Sequence, residues 1–514
     1  MRLRLRLDGR APRRWHLRLL ERLAALPGLE VEVDRSPGPG GLPDNAGLLF
    51  RLESLLNRLS LDGLSAPLPV SAFAAYPEPT AAASCILDLC GDAEGGPDLS
   101  VWRLGFDGVA GEGALLAALL AGRSPVASLS ANGRIIASGR FGAEDRGTML
   151  TAFEDGLIRS MTLIVGALSG ARPLLRDSVL VSREAPPLTV KTVGTRAAKM
   201  AARLVVRRLY YLCYRAPHWR VGWRRLAGPD LIDLRAHPST GWRDLADDGL
   251  RFYADPFGIE HKGRTILFVE DFPHATGKAL ISAVAFDANG PVGTPVPVLE
   301  ESHHLSYPFV FEREGAFWMI PESCANDTVD LYRATAFPGG WVKEATLLRG
   351  VTASDPTLLE RDGRWWMFAT VRDQAADVGG GTVLGSYHDS LHLWSAPDFR
   401  GPWTPHAHNP VLIDIASARP AGRVVERDGA LIRPVQDCRL GYGEALALAR
   451  IDRLDDEGYV QTVETILRSG PLFPGTRLHT LNRTSAFEFI DGSARSPRWR
   501  GGTIARLRRS WFPR

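Results

Sequence analysis

At 514 residues the chain is long enough for two or three domains, and 45% hydrophobic with 23% charged residues is the balance of an ordinary globular protein. A formal net charge of only +3 excludes a whole-molecule nucleic-acid binder on electrostatic grounds. Five scattered cysteines (Cys85, Cys90, Cys213, Cys324 and Cys438) imply no disulfide framework and no zinc or redox spacing.

The N-terminus, MRLRLRLDGRAPRRWHLRLL, lacks the apolar run of a secretory signal, and no stretch approaches the ~20 apolar residues of a membrane span. The expectation is a cytoplasmic protein. Arg and Leu alternate over 2–7 as in a strand, 12–25 opens on Pro12 and carries apolar residues at helical spacing, and 29–33 alternates again. That is β-α-β, the start of an α/β sheet without a glycine-rich phosphate fingerprint. A loop at 36–43, a helix at 47–60 and a buried strand at 86–92 follow. Residues 125–141 form a hairpin around Asn132-Gly133, and 147–169 read as a helix. With WRLGFDG at 102–108, this arrangement resembles the α/β domain of formyltransferases over roughly residues 1–175. Formyl transfer in that family needs an Asn–His–Asp set with the His before a Gly. Here Leu104 precedes Gly105, so a structural or docking role is expected for a Rossmann-type domain over 1–180.

Residues 181–217 read as a linker containing a basic helix, 194–215, with Arg196, Lys199, Arg203 and Arg207 on one face and Leu204, Val205, Leu209 and Leu212 on another. It is either a helix lying on an anionic membrane or an ordinary packed linker helix with solvated arginines. The tail, 496–514, mixes arginines with Trp499, Trp511 and Phe512, suited to a lipid interface or to a disordered terminus.

From Tyr253 to Asp437 one sixteen-residue pattern recurs: PFGIEHKGRTILFVED from 256, PFVFEREGAFWMIPES from 308, PTLLERDGRWWMFATV from 356 and GRVVERDGALIRPVQD from 422. The fifth letter is always Glu (Glu260, Glu312, Glu360, Glu426) and the eighth always Gly (Gly263, Gly315, Gly363, Gly429). A polar turn ending in Gly between apolar runs is a β-hairpin signal. Each hairpin is followed by further strands at 279–286, 329–337, 391–397 and 444–451, so each unit has the four strands of a propeller blade. A fifth unit, HTLNRTSAFEFIDG at 479–492, keeps the Gly and takes its missing strand from WRVGWRRL at 219–226, closing a five-bladed ring over 218–495.

A residue present in every blade does one structural job around the ring, so positions that break the repeat are the informative ones. Asp255 and Asp355 stand just before the repeat where Tyr307 and Ala421 stand in the other units, and position fifteen holds Glu270, Glu322, Thr370 and Gln436. Each Asp-Pro alone is as readily a turn. As a pair in registered blades, converging on the axis, they are candidates for base and charge stabiliser at an anomeric carbon. Asp271, His303, His304, Ser306, Tyr307, Arg419, Arg433, Asp437, Tyr442, His479, Asn482 and Arg483 complete a hydrogen-bonding set suited to a sugar. No histidine pair has zinc spacing with a third ligand, and neither metal nor cofactor is expected.

The segments FYADPFGIEHKGRTILFVED, HLSYPFVFEREGAFWMIPES and SDPTLLERDGRWWMFAT resemble the N-terminal propeller of plant glucosamine inositolphosphorylceramide transferases, over roughly 215–495. They also resemble bacterial proteins that join this propeller to a formyltransferase-like domain. The plant enzymes modify a sphingolipid head group and carry a separate glycosyltransferase domain as well. More distantly the pattern resembles five-bladed furanosidases, whose Asp base and second Asp match Asp255 and Asp355, while ARPAG stands where their Glu acid would be, so that the resemblance leaves Glu322, in the second unit, to serve as acid. The resemblance implies sugar transfer from a donor to a glycan or glycolipid acceptor, and the basic helix and tail add an expected peripheral contact with an anionic membrane. The alternatives are a furanosidase-like hydrolase and a non-catalytic glycan-binding or scaffold protein.

Overall fold

The computed structural model describes residues 1–39, 41–80, 83–175, 187–239, 241–373 and 385–498. The tail aromatics Trp499, Trp511 and Phe512 and linker residues 181–186 lie outside the described residues.

The N-terminal body is a mixed sheet with helices. Its elements are β1 (Arg2–Arg6), α1 (Arg14–Ala24), β2 (Glu30–Asp34), α2 (Ala46–Asn57), β3 (Cys85–Asp88), β4 (Ser100–Phe106), β5 (Val109–Ala110), α3 (Glu112–Leu120), β6 (Val126–Ala131), β7 (Arg134–Arg140) and α4 (Met149–Leu168). The strand order is β2-β1-β3-β4-β6-β7, with β5 paired to β4. β2, β1, β3 and β4 run parallel, whereas β6 and β7 are antiparallel. Period-two alternation buries Leu3 and Leu5 in β1, and helical spacing buries Trp15, Leu19, Leu20 and Leu23 in α1. The helix α3 has no counterpart in the sequence reading. Its run EGALLAALL is apolar nearly all round, and a largely buried helix shows no amphipathic period.

Five sheets make the ring. Blade I holds Arg251–His261, Arg264–Pro273 and Leu280–Asp287, with Gly290–Pro291 and Val296–Leu299 on its outer edge. Blade II holds Ser306–Arg313, Ala316–Ser323, Thr328–Ala336 and Gly339–Arg349. Blade III holds Ala353–Arg361, Arg364–Val371 and Ser390–Ala396, edged by Thr404–Pro405 and Leu412–Ile413. Blade IV holds Val425–Arg427, Ala430–Asp437, Ala445–Asp455 and Gly458–Arg468. Blade V joins the two ends of the propeller: Leu478–Arg483 and Phe487–Ser493 are continued by Trp219–Arg225 and Arg243–Asp244. The closing strand is the one expected from 219–226.

The repeated Gly sits in the turns Lys262-Gly263, Glu314-Gly315, Asp362-Gly363 and Asp428-Gly429, where both residues have positive φ, between 50° and 76°. This is the backbone of a type I′ turn, whose twist matches that of the strands it joins. A Cβ on any of these four glycines would meet nothing, so the requirement is conformational and not spatial. The repeated glutamates lie exposed beside the turns; Glu260 accepts from Thr265 and Ser485, and Glu360 from Arg313.

The N-terminal body is bound to blade III through buried charge. From α4, Arg159, 1% exposed, donates to Asp389 Oδ1 at 2.7 Å and to Asp373 at 2.8 Å. Gly142 N–H donates to the other Asp389 oxygen at 2.8 Å, and Asp155 accepts Gly385 N–H at 2.8 Å. Ile413 of blade III packs into the core of the N-terminal body.

Candidate functional site

The site begins with a backbone irregularity that the repeat imposes. The innermost strands of blades I, II and III each carry a register shift, at Ala254/Phe257, Ser306/Phe309 and Ser354/Thr357. Each shift holds one non-glycine residue in left-handed conformation directly before a proline: Asp255 (φ 48°), Tyr307 (φ 44°) and Asp355 (φ 54°). Such residues cost of order 1–3 kcal/mol each and persist only where surrounding contacts over-determine them. A bulge there re-aims the side chain and frees the backbone N–H from the ladder.

Carboxylates from neighbouring blades take those freed N–H groups. Asp355 N–H donates to Glu322 Oε2 at 2.9 Å, and Asp255 N–H donates to Asp491 Oδ2 at 2.8 Å. In blade II the pattern breaks. Tyr307 N–H donates to Asp255 Oδ2 at 3.2 Å, which leaves Glu270 free to face His304 at 3.4 Å. The Tyr307 hydroxyl meets Thr357 Oγ1 at 2.9 Å and accepts Gly422 N–H at 2.7 Å, so it spans from blade II to blades III and IV and lies across the ring's centre.

Two buried clusters flank this tyrosine. In one, Asp255 accepts from Thr480 Oγ1 at 2.8 Å, and His479 Nε2 stands 3.7 Å from its Oδ1. The His479 ring is fixed by Asp491 at 2.5 Å from Nδ1 and by stacking on Trp219, centroids 4.2 Å apart. In the other, Asp355 receives the Arg419 fork, at 2.6 Å from Nε and 3.1 Å from the terminal nitrogen, plus Gln436 Nε2 at 3.0 Å. Arg419 lies 3.5 Å from Glu322, 2.8 Å from His388 Nδ1 and over the Tyr442 ring. His388 in turn stands 3.5 Å from Glu144 of the N-terminal body, so that body touches the chain of contacts leading to Asp355.

The electrostatics follow from this crowding. Burial raises the Asp255 pKa to about 7; the His479 charge opposes it, while Asp491, Glu270 and Asp355 add to it. Asp355 is also raised to about 7, by burial first, with Arg419 opposing and Glu322 adding. Of the pair, Asp355 has the better-compensated anion because it alone receives a guanidinium fork. Burial alone would lower His479, but Asp491 and Asp255 outweigh it and its pKa is raised. Burial brings His388 down to about 3, so it is a neutral ring at ordinary pH.

Of the residues singled out from sequence, the structure brings Asp255, Asp355, Glu322, Tyr307, Arg419 and His479 together, with His304 the more exposed member at the edge. It ties four others elsewhere. Asp271 holds Arg251 at 3.0 Å and Ser282 at 2.7 Å. Arg433 donates to the Ser417 carbonyl and to Gln461. Asp437 pairs with Arg439 at 2.7 Å. Asn482 clamps the Pro256 carbonyl and Arg423 N–H. Glu270 and Gln436 were visible at position fifteen, whereas Asp491, His388, Thr480 and Glu144 carried no sequence signal as site residues. Among the described residues one group has the donors for a cation: Asp255, His479 and Asp491, with ligand atoms within 4.8 Å of one another. The 2.5 Å separation of His479 and Asp491 is that of a hydrogen bond, tighter than two ligands spread around an ion.

Residues 243–484 match the family model described as glucosamine inositolphosphorylceramide transferase 1, N-terminal. Glucosamine inositolphosphorylceramide transferase 1 of Oryza sativa subsp. japonica is 31% identical over 239 residues, covering 45% of this chain and 31% of that protein. The protein of the same name from Arabidopsis thaliana is 30% identical over 281 residues, covering 52% and 35%. The chain thus spans about a third of the length of the curated relatives it matches. Among solved structures, Zg3597, a family 117 glycoside hydrolase of Zobellia galactanivorans, aligns with a TM-score of 0.34 at 12% identity over 57% of this chain and 98% of that one. The α-L-arabinanase of Cellvibrio cellulosa aligns with a TM-score of 0.29 at 18% identity, covering 41% and 77%. Over residues 243–484 the propeller of this chain is therefore similar to the N-terminal region of glucosamine inositolphosphorylceramide transferases.

Proposed function

We propose that the propeller is a glycosyl-transfer site that moves a sugar from an activated donor to a glycolipid or related glycan acceptor. The observation that carries this reading is the asymmetric carboxylate cluster, Asp255 and Asp355 on the bulges either side of the Tyr307 bulge with Glu270 and Glu322 beside them, in a ring that is otherwise repetitive. The names of the plant relatives support the choice of acceptor class, an inositol-phosphate-bearing sphingolipid.

Asp255, raised to about 7, takes the proton of the acceptor hydroxyl. The acceptor oxygen then bonds to the anomeric carbon as the bond from that carbon to the donor's phosphate oxygen breaks, and the phosphate leaves with the electron pair. A phosphate leaving group needs no dedicated acid, in keeping with the absence of a Glu at ARPAG. Asp355, with its anion compensated by Arg419 and Gln436, faces the positive charge that develops on the sugar ring. Glu322 orients Asp355 through its N–H and is the residue for any proton the leaving group requires. The formyltransferase-like N-terminal body acts by docking, since Leu104 is buried core where formyl chemistry needs a histidine.

The test is nucleotide release from a panel of sugar nucleotides, with and without an inositol-phosphate lipid. Acceptor-dependent release is expected, falling by about 10³-fold in Asp255→Asn and in Asp355→Asn. Release that needs only water would make the protein a furanosidase-like hydrolase. Sugar binding without turnover would make it a scaffold, and turnover surviving both substitutions would remove the carboxylates from the chemistry.

A further inference from the structure

Between the N-terminal body and the propeller runs α5 (Val190–Cys213), and its two halves have different surroundings. The first half packs on the N-terminal body: Val193 and Met200 are buried, and Asn57 contacts the Met200 sulfur at 2.9 Å. Beyond Met200 the helix buries nothing. Val205 is 60% exposed, Val206 64%, Leu209 56% and Leu212 63%. At 100° per residue these four span an arc of about 120°, on the side opposite Val193 and Met200. Arg203 and Arg207 lie beyond one edge of the arc and Arg208 beyond the other, with the half-exposed Tyr210 beside Arg203 and Tyr211 on the side opposite the arc. From Val190 to Arg215 there are seven lysines and arginines and not one Asp or Glu. Lys191, Arg196, Lys199 and Arg203 also line a cavity of about 410 Å³ at the packed end of the helix.

We propose that this half of α5 is a membrane-docking element that lies in the interface of an anionic phospholipid surface. Val205, Val206, Leu209 and Leu212 enter the acyl boundary while the flanking arginines reach the lipid phosphates. A helix with an apolar arc, arginines at both of its edges and no acidic residue fits such a surface in shape and in charge. A neutral protein partner would satisfy the arc but leave the cations unmatched. Among the described residues no helix is long and apolar enough to cross a membrane, so the contact is one of lying on the surface. The Arg498 Nε–H donates to the Tyr211 carbonyl at 2.7 Å, so the propeller's last described residue holds the far end of the helix in place. This inference stands without the sugar-transfer reading, and its test uses no enzyme assay.

Full-length protein is sedimented with vesicles of phosphatidylcholine alone and of phosphatidylcholine with phosphatidylglycerol. Binding is expected to the anionic vesicles, about tenfold or more weaker to the neutral ones, and weakened by salt. Leu209→Glu with Leu212→Glu is expected to cut binding at least about tenfold, and Arg207→Glu with Arg208→Glu to do the same, with secondary structure unchanged. A fluorophore on Cys213, which is exposed at the end of the arc, reports burial directly, with Cys213→Ser as its blank. Its emission should shift to the blue only when anionic vesicles are added. Equal binding to both vesicles, or binding indifferent to these substitutions, overturns the proposal. So does a label already buried without lipid, which would mean that the tail or a second copy of the chain covers the arc.

Discussion

The joint between the N-terminal body and the propeller includes one fully buried ion pair, and removing one side of it has a predictable cost. Arg159 and Asp389 are both essentially inaccessible, 2.7 Å apart, and among the described residues only Gly142 N–H also serves the Asp389 carboxylate. Arg159→Met keeps the packing volume but leaves Asp389 charged, buried and short of its main partner. Breaking a buried pair in this way costs about 3–5 kcal/mol, whereas replacing both partners is often near neutral. The double variant Arg159→Met, Asp389→Asn should therefore regain much of what the single variant loses. Because a chain of this size need not unfold in two states, the proper assay is hydrogen exchange in 141–160 and 385–390 together with thermal unfolding. At 1.4 kcal/mol per tenfold, exchange in these segments should rise by about 10²- to 10³-fold in Arg159→Met. Burial already raises the Asp389 pKa and Arg159 opposes that rise, so the variant's defect should shrink as pH falls and the carboxyl takes up a proton. A single variant within about 0.5 kcal/mol of the parent, or a double variant whose losses simply add, would refute the claim that this pair couples the two bodies.

Glycine substitutions distinguish space from conformation. A Cβ at Gly422 (φ 137°) would sit 2.0 Å from the Leu481 carbonyl oxygen, so Gly422→Ala should lower the unfolding midpoint severely or prevent folding, whereas Gly429→Ala, in an open turn, should cost only about 1 kcal/mol. The site should also give stability a pH slope. The raised His479 pKa contributes stability that is full below the unfolded value near 6.5 and lost as pH rises through its folded value. Asp255, raised from 3.8 to about 7, binds a proton more readily when folded, so stability also falls between those values as pH rises. In thermal unfolding across pH 4 to 9, His479→Gln should flatten the upper part of this slope, and an unchanged profile would show that His479 does not charge on folding.

The ring was legible because its repeat carries its own physics: a Gly where φ must be positive and apolar runs on either side. The helix α3 was not, because burial on nearly all sides erases the period that reveals an amphipathic helix. The site was legible where it broke the repeat, as at Asp255 and Asp355. It was opaque where strand alternation decides which way a side chain faces. Glu270 faces His304 while the next residue, Asp271, turns to Arg251; Gln436 reaches Asp355 while Asp437 turns to Arg439. From sequence each neighbour is as good a candidate as the other. Asp491 and Glu144 were invisible for another reason, since they reach the site from elements 236 and 211 residues away from the aspartates they serve, with no local pattern to announce them.

A repeat protein can gain a site only by departing from its symmetry, and the departure here is traceable to one residue. In blades I and III the bulge N–H is taken by an acid of the preceding blade, Asp491 and Glu322 respectively. In blade II the corresponding acid would be Glu270, but Tyr307 gives its N–H to Asp255 instead. Two consequences follow from that exchange. Asp255 is drawn toward blade II, within electrostatic reach of Asp355 and Glu270, and burial among those charges lifts its pKa toward neutrality. Among the described residues Glu270 is left without a backbone donor and meets His304 at the more exposed edge. A tyrosine standing between the aspartates of blades I and III thus leaves the buried carboxylates in two unequal groups. One is bound to Arg419. The other, Asp255, is raised to about 7 as Asp355 is, but receives no guanidinium fork among the described residues, which suits the base of the proposed transfer.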